Sequence, residues 1–156
     1  MKKFKIGILI SLLLISKISA SEISGVPTVI DGDTIKIFNK RIRFHGIDTP
    51  EKNQICLKNF REYKCGEKAT MALIKKIDGK RIVCKVQDRL DKYKRYIGVC
   101  FIKGVNLNRW MVRNGYAVAY RRYSKDYIED ENYAKKNKIG LWSGKFIHPE
   151  KWRKLN

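Results

Sequence analysis

The chain has 156 residues, and 35 Lys and Arg stand against 15 Asp and Glu, which gives a formal net charge of +20. The length requires no second domain, and the charge favours a polyanionic partner such as nucleic acid or an anionic membrane surface. Charge identifies no reaction, so the scarce acids are more informative. Asp31, Asp33, Asp48 and Glu51 cluster in one short region of a basic chain, which indicates a cation site.

The first twenty residues have the pattern of a secretion signal. Basic residues precede an apolar run from Ile6 to Ile15, and cleavage is expected after Ala20. The run is about half of the ~20 residues that a membrane span needs, so a retained anchor is the weaker alternative. Loss of its four lysines lowers the net charge from +20 to +16. We expect residues 21–156 to form the exported domain, periplasmic or secreted.

The next segment predicts a three-stranded meander. Residues 26–30 and 34–38 are apolar and β-branched, and the turn Asp31-Gly32-Asp33 separates them. A tight connection at positions 39–40 leads to a third strand over residues 41–47.

The third strand and the bend after it carry the densest mixture of charges. Apolar residues alternate with basic ones over residues 41–45, so one face is buried and Arg41 and Arg43 share the other. Pro50 stiffens the bend that follows. The acidic side chains of Asp48 and Glu51 therefore lie beside a strand that presents guanidinium groups.

The remaining elements complete the predicted architecture. We expect a loop over 51–65, a helix over 66–77, strands at 81–87 and 95–102, helices at 106–114 and 126–138, and a tail that packs on the surface. Five short strands with a helix inserted after the third predict an α+β fold, a five-stranded OB-fold-like β-barrel with three helices.

Four cysteines lie in this domain: Cys56, Cys65, Cys84 and Cys100. The even number permits three connectivities, and the absence of a CxxC spacing makes a zinc site the weaker alternative. Cys84 and Cys100 fall in successive strands that antiparallel pairing could oppose, and a Cys56–Cys65 bridge would close the loop between them. Each bridge contributes about 2–4 kcal/mol of stability.

The acidic turns and the arginines together suggest phosphodiester chemistry. A lone Asp-Gly-Asp turn is most simply a hairpin turn, but a second acidic bend allows Asp33, Asp48 and a backbone carbonyl to hold one Ca²⁺. Arg43 and Arg95 taken singly are solvated residues. Jointly, they suit the negative charge that develops at a five-coordinate phosphorus, and Glu51 is the candidate to activate water, a step worth about 10²- to 10⁴-fold.

Five ordered segments resemble the staphylococcal nuclease (thermonuclease) family, from about Val26 to Trp142. They are DGDT at 31–34, RIRFHGIDTPE at 41–51, DKYKR at 91–95, LNRWMVRNGYAVAY at 107–120 and AKKNKIGLW at 134–142. The resemblance implies a Ca²⁺-dependent endonuclease that hydrolyses DNA and RNA to products ending in 3′-phosphate. A pocket that takes one nucleotide favours single-stranded or unwound substrate. We expect a monomer without a membrane span.

The family pattern also assigns roles to individual residues. It implies Asp33 and Asp48 as carboxylate ligands of Ca²⁺, Thr49 as a carbonyl ligand, Arg43 and Arg95 as transition-state arginines, Glu51 as general base, Lys92 and Tyr93 as phosphate contacts, and Tyr120 as an aromatic of the nucleotide pocket, with Tyr123 as a competitor for that place. Two features depart from the pattern. Lys94 stands where the family usually has glycine, which strains the turn if that position needs a positive φ, and the founding type has no cysteines.

Two other function classes remain open at the level of sequence. One is an OB-type module that binds nucleic acid without cutting it, although such relatives usually lose part of the Arg, Glu, Arg set that is intact here. The other is a cationic envelope protein that binds anionic lipid or polysaccharide. Strong lipid or glycan binding without a metal site would favour it.

Overall fold

The computed structural model describes residues 21–156, and the predicted secretion signal lies outside them. Within this range the strands are β1 (Ser21–Gly25), β2 (Thr28–Asp31), β3 (Thr34–Ile37), β4 (Lys40–Phe44), β5 (Ile47–Asp48), β6 (Ile55–Lys58), β7 (Arg61–Lys64), β8 (Ile82–Leu90), β9 (Tyr96–Ile102), β10 (Val105–Asn106) and β11 (Val118–Ala119). The helices are α1 (Cys65–Ile77), α2 (Leu107–Arg113), α3 (Ile128–Lys136) and α4 (Pro149–Leu155), with a 3₁₀ turn at Gly140–Ser143.

One mixed sheet of strand order β1-β8-β9-β4-β3-β2 curls into an OB-fold-like half-barrel, and β10 adds to β9. Strands β2, β3 and β4 form the predicted antiparallel meander. Strand β4 then pairs in parallel with β9, where Ile42 faces Tyr96 and Arg43 faces Ile97. This pairing brings the segment before β9 beside the arginine strand.

The core lies on the concave face of the sheet and follows the alternation of the sequence. Ile35 and Ile37 on β3 and Ile42 and Phe44 on β4 are almost fully buried, whereas the basic residues between them face away. Helix α1 packs here through residues spaced four apart, among them Leu73. The left-handed Asp78 ends α1, in the predicted Asp78-Gly79 turn.

A buried amide fixes the end of β4 to β9. The Asn108 side chain of α2 donates to the carbonyls of His45 (2.9 Å) and Gly98 (3.1 Å) and accepts from the Cys100 amide (3.1 Å). These bonds satisfy backbone groups where two strands diverge. The turn that begins the acidic bend is thereby held rigidly.

The predicted numbers of strands and helices were too low. Within residues 21–156 the main sheet has seven strands rather than five, because β1 is polar in sequence and exists through its pairing with β8. The segment predicted as a loop, 51–65, contains the hairpin β6–β7. The tail forms α4, so that there are four α-helices rather than three.

Both disulfides agree with the predicted pairing. Cys84 and Cys100 are direct register partners on β8 and β9, and Cys56 joins β6 to Cys65 at the start of α1. The first bridge fastens two central strands, and the second closes the base of the β6–β7 hairpin. No helix in the range 21–156 is long and apolar enough to cross a membrane.

Candidate active site

The two acidic bends meet through a buried carboxylate. Asp31 accepts a hydrogen bond from the Asp33 amide (3.0 Å), which makes the expected Asx turn. The Asp33 carboxylate in turn accepts from the amide (3.0 Å) and the hydroxyl (2.9 Å) of Thr49. Because one side chain satisfies groups on the other bend, the turn after β2 and the bend after β5 are a single structural unit.

Arg43 joins the carboxylates of both bends. Its guanidinium lies 2.9 Å from Asp33 Oδ2 and 3.1 Å from Asp48 Oδ1, and only 12% of the side chain is exposed. The alternation along β4 directs Arg43 to this face of the sheet, as predicted. A positive charge therefore already lies between the two carboxylates that the sequence assigns to a cation.

Burial perturbs two of the acids. Removal from water, reinforced by the charge of Asp33, raises the pKa of Asp31 from 3.8 to about 6. Burial likewise raises the pKa of Asp48 to about 6, although hydrogen bonds from Arg153 reduce the effect. A cation beside these groups would favour their ionised forms.

The loop of Glu51 is held from three sides. The buried Gln54 side chain accepts from the Glu51 amide (3.2 Å) and donates to the Ile147 carbonyl (2.7 Å). The Gln54 amide also bonds to the Glu51 carbonyl (2.8 Å). A Cβ at Gly66 would lie 1.7 Å from that same carbonyl oxygen, so α1 can begin here only with glycine.

The structure adds Arg153, a residue that the sequence did not indicate. From α4 its guanidinium bonds to both oxygens of Asp48 (3.0 Å each) and to Glu51 Oε1 (2.8 Å). Pro149 at the first position of α4 and Glu150 in its first turn are the sequence signals for this helix. Its contact with Asp48 spans 105 residues of chain, which no local pattern reports.

We call Asp33, Asp48 and Glu51 the acidic cluster. Arg95 lies on the expected face of the sheet, but its ion pair is with Asp91 rather than with this cluster. Strands β4 and β9 are parallel, and Ile42 pairs with Tyr96. One residue earlier in each segment, Arg95 is therefore opposite Arg41, and both lie on the same face of the sheet as Arg43. The Arg95 guanidinium binds Asp91, at 2.9 Å from both Nε and Nη2. Arg95 is therefore paired with Asp91 rather than with the carboxylates of the acidic bends.

Lys94 occupies a position that needs a positive φ. Its φ is +58°, within the turn that the Lys94 amide closes by donating to the Asp91 carbonyl (2.9 Å). The glycine that the family pattern has here is therefore explained by conformation, and lysine is strained in its place. The turn still forms because Asp91 also accepts from the Tyr93 and Arg95 amides.

The residues proposed to contact substrate differ in how exposed they are. Lys92 and Tyr93 are exposed, with the Lys92 ammonium 4.9 Å from the centre of the Tyr93 ring. Tyr120 follows β11, which pairs with β5 at Asp48, and burial together with the Asp48 charge raises the pKa of the Tyr120 hydroxyl. Tyr123 meets the Tyr120 ring edge-on at 4.8 Å and is more exposed than Tyr120.

The donors suit a hard cation. Asp33 and Asp48 offer only carboxylate oxygens, and both are buried, so a bound cation would neutralise charge that is poorly solvated. In the range 21–156 no three His, Cys, Asp or Glu side chains come together in a typical metal site. The residues present fit a site of two carboxylates completed by a backbone carbonyl, for which Thr49 is the candidate.

The family model described as "Staphylococcal nuclease homologue" matches residues 41–144. The chain belongs to the staphylococcal nuclease family. This confirms the resemblance drawn from the five sequence segments. The match begins after Asp33, the residue that joins the two bends, and ends before α4. Asp33 and Arg153 therefore both lie outside it.

Three relatives illustrate the similarity of the chain to individual proteins. The chain is 35% identical to "Succinoglycan biosynthesis protein ExoI" of Rhizobium meliloti, with 91% of this chain and 76% of the relative covered. It is 35% identical to an "Uncharacterized endonuclease" of Escherichia coli O157:H7, covering 76% and 75%. It is 30% identical to "Micrococcal nuclease" of Shigella flexneri, covering 84% and 80%.

Proposed function

We propose that this member of the staphylococcal nuclease family is a Ca²⁺-dependent endonuclease that hydrolyses DNA and RNA to 3′-phosphate products. The observation that supports this proposal best is the convergence of Asp33, Arg43, Asp48 and Glu51. Arg43 contacts both aspartates, and Arg153 spans Asp48 and Glu51. A carboxylate for water, carboxylates for a cation and a guanidinium for phosphate are thus within one connected group.

The residues that would hold Ca²⁺ are Asp33, Asp48 and the Thr49 carbonyl. When bound, the ion would supply a Lewis acid for a non-bridging phosphate oxygen. Arg43 lies against both carboxylates, so its guanidinium would bind the same phosphate and stabilise the charge that develops on it.

Glu51 is the proposed general base. Its carboxylate would accept a proton from a water molecule, whose oxygen forms a bond to phosphorus while the bond from phosphorus to the 5′-oxygen breaks. The 5′-oxygen would then take up a proton from solvent and leave as a hydroxyl group. The phosphate then stays on the 3′ side. The Glu51 side chain is partly exposed, so water can reach it, and the Gln54 bonds fix its backbone.

Arg95 would join the site by exchanging one anion for another. In its present pairing, Nε and Nη2 both contact Asp91 Oδ2 at 2.9 Å, and a substrate phosphate would offer anionic oxygens to the same two nitrogens. Lys92 and Tyr93 lie on the same turn and would contact a neighbouring phosphate, while Tyr120 would pack on the base of an unwound strand.

Export is a further part of the proposal. The two disulfides, which occupy every cysteine of residues 21–156, are consistent with an oxidising compartment. The basic surface of the domain would attract nucleic acid there.

The test is a cleavage assay on residues 21–156 with single-stranded DNA and RNA, in Ca²⁺ and in excess EDTA. We expect cleavage in Ca²⁺ only, with product ends that a 3′-phosphatase can remove. Undiminished cleavage in EDTA would contradict the metal assignment. Substrate that is retarded in a gel but stays intact in Ca²⁺ would favour the binding module instead.

The Glu51→Gln variant tests the general base. We expect it to bind DNA as the parent does while turnover falls by about 10²-fold or more. The matched control is Glu22→Gln on β1, an exposed glutamate whose replacement removes the same charge outside the acidic bends. An unchanged rate for Glu51→Gln would remove Glu51 from the mechanism.

A further inference from the structure

Arg153 occupies the carboxylate that the proposed cation needs. It bonds to both oxygens of Asp48, and Arg43 bonds to Oδ1 as well. Each carboxylate oxygen has two lone pairs, so Oδ1 is already filled. The guanidinium also reaches Glu51. A side chain from the terminal helix thus covers both a proposed ligand and the proposed base.

Arg153 is the arginine that can leave. The Arg43 side chain is 12% exposed and begins on β4, inside the main sheet. The Arg153 side chain is 36% exposed and belongs to the seven-residue helix α4 rather than to the main sheet. Because its guanidinium is already partly exposed, water can solvate its charge once it is released.

We propose that Arg153 and the divalent cation compete for Asp48, so that cation binding releases α4 from the acidic cluster. Arg153 thereby sets the cation concentration at which the site fills. The inference rests on the proposed function, because it takes Asp48 as a cation ligand. It assigns a role to α4, which lies outside the matched family region.

Calcium affinity without substrate is the first test. Isothermal titration of residues 21–156 with Ca²⁺ is compared for the parent, Arg153→Gln and Lys154→Gln. Lys154 is the matched control, since it is next in sequence and contacts Glu150 rather than the acidic cluster. We expect Arg153→Gln to bind Ca²⁺ at least tenfold more tightly than the parent, and Lys154→Gln to stay within about twofold. Equal or weaker binding by Arg153→Gln would overturn the competition.

Hydrogen–deuterium exchange of the segment 149–156 is the second test. In the parent, Ca²⁺ should speed exchange at α4, whereas Arg153→Gln should exchange rapidly with and without Ca²⁺. Protection of α4 by Ca²⁺ would overturn the release. If parent and variant both fail to bind Ca²⁺, both the proposed metal site and the competition are refuted. If the parent binds Ca²⁺ and cleaves DNA but Arg153→Gln binds no more tightly, only the competition is refuted.

A second inference comes from the tip of the β6–β7 hairpin. Asn59 and Phe60 form a two-residue turn with φ of +50° and +61°, and Phe60 is fully exposed. Such turns favour glycine at the second position, and a bulky side chain at positive φ is disfavoured. Phe38 is likewise exposed at positive φ, so it is the position of Phe60 beside the acidic residues that distinguishes it.

The surroundings of Phe60 select the ligand. Lys58 and Arg61 flank the turn, and Lys64 lies at the base of the β6–β7 hairpin. The Cys56–Cys65 disulfide closes this base. Gly66, which follows it, lies against the Glu51 carbonyl. Four strand residues span about 14 Å, so the tip is a few nucleotides away from the acidic cluster.

We infer that Phe60 stacks on an unpaired base of a nucleic-acid strand bound at the proposed active site. Exposed aromatic rings flanked by cations bind single strands in this way. This inference also rests on the proposed function, since it requires nucleic acid at the neighbouring cluster.

The test is fluorescence anisotropy with a labelled oligothymidylate in EDTA, where binding is read without cleavage. We expect Phe60→Ala to bind at least fivefold more weakly than the parent and Phe60→Trp to bind normally. Phe38→Ala is the control, because Phe38 is also exposed at a turn with positive φ, on another hairpin. Equal losses in both alanine variants, or none in Phe60→Ala, would overturn the assignment. A parent that binds the oligonucleotide but never cleaves it would sink only the nuclease proposal.

Discussion

Replacement of Lys94 by glycine should stabilise the domain. At φ +58° the lysine lies in the left-handed region, which costs a side-chain-bearing residue about 1–2 kcal/mol. Glycine loses about 0.5–1 kcal/mol of that gain through its greater freedom in the unfolded chain. The backbone bonds from the turn to Asp91 are unaffected by the change. The net expectation is a gain of about 0.5–1 kcal/mol in the free energy of unfolding.

The assay is urea denaturation of residues 21–156 with intact disulfides, supported by a melting temperature that rises by about 2–4 °C. Lys92→Gly is the control, because Lys92 lies in the same turn but is not among the residues with positive φ. It should lower stability, since glycine there only adds unfolded-state entropy. Lys94→Gly at or below the parent, or a gain as large for Lys92→Gly, would refute the conformational explanation of the family glycine.

Three further predictions concern other parts of the structure. The raised pKa of Asp31 means that, between pH 3.8 and about 6, the folded state keeps a proton that the unfolded state releases, so stability should fall as pH rises through this window. Asp31→Asn, followed by urea denaturation in EDTA, should flatten that slope. Removal of the Cys84–Cys100 bridge by alanine at both positions should lower the free energy of unfolding by about 3 kcal/mol. Gln54→Leu should lower it by about 1–3 kcal/mol and also slow cleavage in the nuclease assay, because the Glu51 loop loses its side-chain bond.

Each of these has a control in the same chain. Asp88→Asn removes an exposed charge on β8, and a pH slope that changes as much there as in Asp31→Asn would contradict the burial argument. Gln87→Leu is the exposed counterpart of Gln54→Leu, so equal losses would mean that the Gln54 bonds are unimportant. A Cys84–Cys100 variant as stable as the parent would show that strand pairing alone fixes β8 to β9.

The local sequence pattern was sufficient to predict the elements whose conformation is determined by their own residues. The alternation in β4 correctly predicted which residues enter the core and that Arg43 faces away from it. The Asx turn at Asp31 formed as expected. Strand β1 and the β6–β7 hairpin were missed, because the first depends on a partner strand and the second on a disulfide and a two-residue turn.

The candidate site divides along the same line. Asp33, Asp48 and Glu51 could be singled out from sequence because they lie on two acidic bends, and Arg43 because it lies on the strand between those bends. The roles assigned to them, and those assigned to Arg95, Lys92, Tyr93 and Tyr120, remain predictions. The orientation of Arg95 toward Asp91 was not predictable, since a turn motif fixes its backbone and leaves its rotamer to the nearest anion.

The sequence by itself determined the family, the buried face of each core strand and the acids around which the site forms, because these depend on residue type and short-range spacing. Only the tertiary structure decided that the terminal helix returns to the acidic bends and that Arg153 binds Asp48 and Glu51. Such a contact depends on where the whole chain ends in space. Its physical basis is the attraction between buried carboxylates and a guanidinium that the fold carries to them.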